Sequence, residues 1–96
     1  MEERLVCTVG NENMEPTLMW GDQIACVKAD LGKLSWHGGC IHLIIFTDGT
    51  KTIKRVIDQG DSILLKGDGA NGMRQAIPKK YIKEIYRVVA SARWYE

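Results

Sequence analysis

Lys54 and Arg55 stand together inside Lys51-Thr-Ile-Lys-Arg-Val-Ile57, a run that alternates like a strand. Upstream lie Gly10-Asn-Glu-Asn-Met-Glu-Pro-Thr17 and, shortly after it, Gly21-Asp22. A lysine in a strand takes one of two states. Facing water it is a solvated cation, the ordinary condition of a long charged side chain. Buried, its pKa falls, and the neutral amine becomes a general base able to take a proton from a hydroxyl nucleophile. Asn13 supplies no such hydroxyl. Its carboxamide donates and accepts hydrogen bonds but has no normal route to an acyl intermediate.

Two other constellations are weaker. In His37-Gly-Gly-Cys40-Ile-His42 the alternation of a strand puts Cys40 and His42 on one face, with His37 in the turn before them. A fourth ligand at metal-site spacing is missing, so neither a metal nor a cofactor is expected. Gly67-Asp-Gly69-Ala-Asn-Gly72 satisfies a dinucleotide fingerprint literally, and Ile63-Leu64-Leu65 precedes it as a strand should. A phosphate cradle also needs a helix straight after the glycines, and Met73-Arg-Gln-Ala-Ile-Pro78 closes that off with its proline. The segment reads as a flexible glycine-rich turn.

The elements that must position these residues are short strands. Leu5 to Val9 and Gln23 to Lys28 flank the Asn13 segment, where proline pushes Glu15 out of helical geometry and favours a loop. Cys40 to Thr47 and Lys51 to Asp58 flank Asp48-Gly49, a strong hairpin signal. Ser62 to Lys66 and Ile82 to Ala92 add two more strands, and Pro78 to Lys83 has room for a single helical turn. This predicts a mainly β, antiparallel domain. Its 96 residues, 45% of them apolar, enclose one small core, so oligomerisation is a natural source of further burial. A net charge of +1 advertises no basic field for nucleic acid. The amino-terminal residues are partly acidic, and the longest nearly apolar run, Cys40 to Phe46, is too short to cross a bilayer, which argues against a membrane-bound enzyme. Cys7, Cys26 and Cys40 are an odd number spread through apolar segments, as expected of buried thiols in a reducing cytoplasm.

Gly10, Met14, Pro16, Thr17, Gly21 and Asp22 match the Gly-Asp-Ser-Met-x-Pro-Thr signature, with its following Gly-Asp, of the serine–lysine autopeptidases. Ile53-Lys54-Arg55-Val56 matches the hydrophobic-Lys-Arg-hydrophobic strand that carries their general base. The chain thus resembles the LexA/UmuD/phage-repressor family, and more distantly the signal peptidases, over about residues 5 to 94. The serine position is Asn13, and where the family has a Ser-Asp-Asn-like turn this chain has Lys66-Gly-Asp-Gly69. The resemblance implies a compact β-clip-like fold of the LexA carboxy-terminal type, with Asn13 at the position of the lost nucleophile and Lys54 at the retained base. It implies a degenerate peptidase in which the Lys54 ammonium donates to the Asn13 side-chain oxygen and holds the loop. It further implies that Asn13→Ser restores a weakly reactive hydroxyl.

In this family the domain follows a helix-turn-helix domain, mediates dimerisation and cuts the linker between the two. The function implied is therefore an inactive regulatory and dimerisation domain of a phage-repressor-like transcriptional regulator, the carboxy-terminal part of a longer protein. DNA would be met only through an upstream domain. No Ala-Gly or Cys-Gly, the bonds usually cut in the family, occurs in the chain, which puts any target bond before Met1. Val88, Val89, Trp94 and Tyr95 are the expected homodimer contacts, since edge strands and exposed aromatics favour pairing. Two alternatives stay open: an active peptidase domain inactivated by an engineered serine substitution, or a stand-alone UmuD-like module that binds a polymerase or a recombinase filament.

Overall fold

The computed structural model describes residues 4–10, 14–34, 39–69 and 74–93. Seven strands form one antiparallel sheet: β1 (Arg4–Thr8), β2 (Gln23–Lys28), β3 (Cys40–Phe46), β4 (Lys51–Asp58), β5 (Ser62–Lys66), β6 (Arg74–Pro78) and β7 (Ile82–Ala92). Their order across the sheet is β1-β2-β7-β3-β4-β5-β6, so the last strand is inserted between the second and third. The expectation of a mainly β, antiparallel domain holds. Short 3₁₀ turns span Leu31–Lys33 and Lys79–Tyr81, the second within the segment expected to make one helical turn. Among the described residues, no helix is long and apolar enough to cross a membrane.

Strand-to-strand alternation sorts the apolar residues onto two faces. On β3, Ile41, Leu43 and Ile45 belong to a cluster with Val9, Met14, Leu18, Ile24, Cys26, Ile53 and Tyr86. Ile44 and Phe46, one residue out of step, join Val56, Ile63, Leu65, Ile82 and Ile85 on the other face. The two clusters explain why β3 is nearly continuous in apolar residues. It sits mid-sheet, paired with β4 on one side and β7 on the other, and is covered on both faces.

The hairpin signal at Asp48-Gly49 is realised as the β3–β4 turn. Gly49 adopts φ +89°, its N–H donates to the Phe46 carbonyl at 2.9 Å, and Asp48 accepts from both the backbone and the hydroxyl of Thr50.

Three expectations need correction. The first strand covers Arg4–Thr8 rather than Leu5 to Val9, because Val9 turns inward to pair its N–H with the Asp22 carbonyl at 2.8 Å. The third ends at Phe46, since Thr47 donates instead to the Tyr81 carbonyl. The segment after the glycine-rich turn, read only as a stretch closed off by proline, is the edge strand β6. Pro78 ends it opposite Ser62, where an edge strand tolerates a missing N–H.

Candidate functional site

The segment after Asn13 is held to the sheet first by burial. Met14 is 0% exposed and Leu18 is 3% exposed, and both pack with Ile53 of β4. The two motifs singled out in the sequence therefore meet in one apolar cluster. Gly21 takes φ +92°, a conformation that disfavours other residues, and its N–H closes the loop on the Val9 carbonyl at 2.9 Å. Asp22 next to it is buried. Its carboxylate accepts from the Met19 N–H at 2.8 Å and from Arg93 Nε and Nη2 at 2.8 and 3.0 Å. The hydrogen bonds from Arg93, then that from Met19, hold its pKa below the usual carboxylate range.

The second attachment is ionic and centres on Arg55. Its Nε and Nη2 donate to the two carboxylate oxygens of Asp68 at 2.7 and 2.9 Å, and Nη1 donates to the Gly39 carbonyl at 2.7 Å. Asp68 also accepts from Thr17 Oγ1 at 2.7 Å. One two-pronged ion pair thus ties β4, the turn after β5 and the Pro16-Thr17 loop to one another. The Arg55 bonds lower the Asp68 pKa most, and the Thr17 bond adds to that. Asp68 was not singled out in the sequence. Its signal was the departure at Lys66-Gly-Asp-Gly69, an acid between two glycines following a strand that pairs with the Arg55 strand.

Lys54 is half-buried on β4 with His42 as its cross-strand partner, while Arg55 stands opposite Ile41. Alternation puts Lys54 on the face of Val56 and the second cluster, and Ile53 and Arg55 on the face of the first. Asn13, and with it the proposed bond from Lys54, lies outside the described residues, as do His37, Trp94 and Tyr95. Gly10 lines a cavity of about 260 Å³ with Cys7, Thr8, Leu43, Lys51, Thr52 and Ile53, beside the entrance to the loop.

The cysteines are free thiols, but only Cys26 is fully buried; Cys7 and Cys40 are half-buried. Burial pushes the Cys26 thiol up to about 11 and raises Cys7 as well. Val89 is 46% exposed, while Val88 is partly buried against the first cluster. Among the described residues no three His, Cys, Asp or Glu side chains gather as a metal site would require. No protein-family model and no curated protein matches the chain.

Proposed function

We propose that this chain is a catalytically inactive LexA-like regulatory domain, dimeric and cytoplasmic, that serves a helix-turn-helix transcriptional regulator. The observation that carries this reading is that Met14 and Leu18 from the Gly10-to-Thr17 motif share one buried cluster with Ile53 from the Lys-Arg motif, in a chain whose sequence has Asn13 where that motif has serine. Inactivity is supported by chemistry: an amide cannot be activated by a base as a hydroxyl can. It is also supported by where β4 spends its charges. Arg55, on the face that the loop packs against, is committed to Asp68, and Lys54 alternates to the other face.

Dimerisation is supported by β7. Its residues beyond Arg87 pair with β2 on one side but run past the end of its ladder with β3, and Val89 is exposed there. Strands with an open side are templates for pairing with a second copy.

The test is the intact mass of the endogenous protein, captured from its source cells by an antibody to this domain. A species larger by one small domain, about 60 to 120 residues, upholds the regulator. A mixture of long and short forms that shifts with DNA damage overturns inactivity. Labelling by a serine-directed phosphonate separates the remaining possibility. If Asn13→Ser becomes labelled, Lys54 still serves position 13; if neither form is labelled, the dyad geometry has gone along with the nucleophile.

A further inference from the structure

The face of the sheet that carries the second cluster has its own polar centre. His42 on β3 stands in register between Lys54 on β4 and Arg87 on β7. His42 and Arg87 also line a cavity of about 210 Å³ with Lys28, Asp30, Lys33 and Leu34. His42 is only 4% exposed. Its Nδ1 lies 2.8 Å from the Cys40 carbonyl oxygen. A carbonyl can only accept, so Nδ1 carries the proton. Burial lowers the imidazole pKa, which keeps the ring neutral and leaves a lone pair on Nε2.

That lone pair has no hydrogen-bond partner among the described residues. No buried polar side-chain atom among them lacks a partner, so Nε2 must open onto space that solvent reaches, and the cavity is the space His42 lines. Arg87 and Lys33, both exposed, have no carboxylate partner among the described residues. Of the other two charged groups, Lys28 sits 3.4 Å from Glu84, and Asp30 accepts from the Gly32 N–H at 2.8 Å but keeps its negative charge, which Arg87 and Lys33 together outweigh.

Exposed cations above a buried acceptor suit an anion that still carries a proton. A carboxylate or a sulfate has none at neutral pH and would set its own lone pair against that of Nε2. Hydrogen phosphate supplies both the charge and the donor. We propose that this cavity is a phosphate site, with Arg87 and Lys33 on the ionised oxygens and the P–OH group donating to His42 Nε2. Free hydrogen phosphate and a singly protonated phosphate monoester share this chemistry. The site is independent of the Met14 and Leu18 segment, which packs on the other face.

The test is an NMR titration of the isotopically labelled chain near neutral pH, with inorganic phosphate, glycerol phosphate and sulfate compared at matched ionic strength. Phosphate is expected to shift the His42 ring and Arg87 side-chain signals to saturation, with sulfate at least about tenfold weaker because it cannot donate to the acceptor. Arg87→Ala should weaken phosphate binding by about tenfold or more, whereas Arg74→Ala, an exposed cation on the edge strand β6, should leave it unchanged. Tighter binding of glycerol phosphate than of inorganic phosphate assigns the site to a monoester; the reverse order assigns it to the free ion. Equal responses to phosphate and sulfate, shifts that never saturate, or binding of a DNA duplex without any response to small phosphates would overturn the proposal. If Arg87→Ala does not fold, the preference of the unmodified chain for phosphate over sulfate decides alone.

Discussion

The two faces of the sheet use charge in opposite ways. On the face of the Pro16-Thr17 loop, Arg55 meets Asp68, and at its end Arg93 meets Asp22, each acid accepting two bonds from an arginine. On the face of His42, Arg87 and Lys33 make no ion pair among the described residues, although Asp30 lines the same cavity. Paired charges of the first kind fix geometry, since each bond removes a freedom of the loop. Open charges beside a neutral, buried acceptor do nothing for the fold and are free to meet something else. The charges around the Pro16-Thr17 loop act as scaffold, and those around His42 are the ones that the proposed phosphate site would use.

Breaking the apolar anchor under the loop should have the largest effect. Met14→Ala removes a fully buried side chain from the cluster shared with Ile53 and should cost about 2 to 5 kcal/mol, read from the urea midpoint. The same truncation of the exposed Trp20 should change stability by no more than about 0.5 kcal/mol, showing that the loop is held by its inward side. Next comes the ionic tie. Asp68→Asn keeps the shape but loses the charge facing Arg55, and should cost about 1 to 2 kcal/mol while raising amide exchange in residues 14 to 20. A variant that loses stability without faster exchange there would show that the pair serves the β4–β5 turn alone.

Acid should separate the faces by pH. Asp22 and Asp68 have folded pKa values below their usual range, so the stability they contribute is present above about pH 4 and is lost as pH falls through the folded values. His42 also has a lowered pKa, from burial, but it is the neutral form that the fold favours. Its penalty therefore begins as pH falls below the ordinary histidine value of about 6.5, where the unfolded chain takes up a proton that the folded chain resists. Denaturant melts between pH 7.5 and 3 should show an early decline that His42→Gln removes and a later one that Asp68→Asn reduces. An early decline that survives His42→Gln would place its origin elsewhere.

Much of this architecture was legible in the sequence, for identifiable reasons. Four strands, Gln23–Lys28, Lys51–Asp58, Ser62–Lys66 and Ile82–Ala92, run between the residues that alternation and flanking turns indicated. β6 was hidden because its residues are mostly exposed and show no apolar alternation; its identity comes from pairing with β5, which is a tertiary fact. Arg55 was legible as part of a motif, but its partner was not, because Asp68 lies thirteen residues away in the turn after β5, outside the Gly10-to-Thr17 and Lys-Arg motifs. The grouping of His42 with Cys40 drew attention to metal chemistry, whereas burial and the Cys40 carbonyl give the ring a fixed tautomer. Strand alternation alone also separates Lys54 from Ile53 and Arg55, a consequence that the adjacency of Lys and Arg in the motif conceals.

The smallest expected effect on stability tests the contrast most sharply. Arg87→Ala should move the unfolding free energy by no more than about 0.5 kcal/mol, because the side chain is exposed and makes no ion pair among the described residues. Yet it should abolish most of the rise in melting temperature that phosphate produces over sulfate in the unmodified chain, since a ligand stabilises only through the state that binds it. Arg55→Ala should show the reverse, a clear loss of stability with the phosphate increment intact. If both variants lose stability to the same degree and neither alters the increment, then the charges of the two faces do the same structural work, and the division between scaffold and recognition fails.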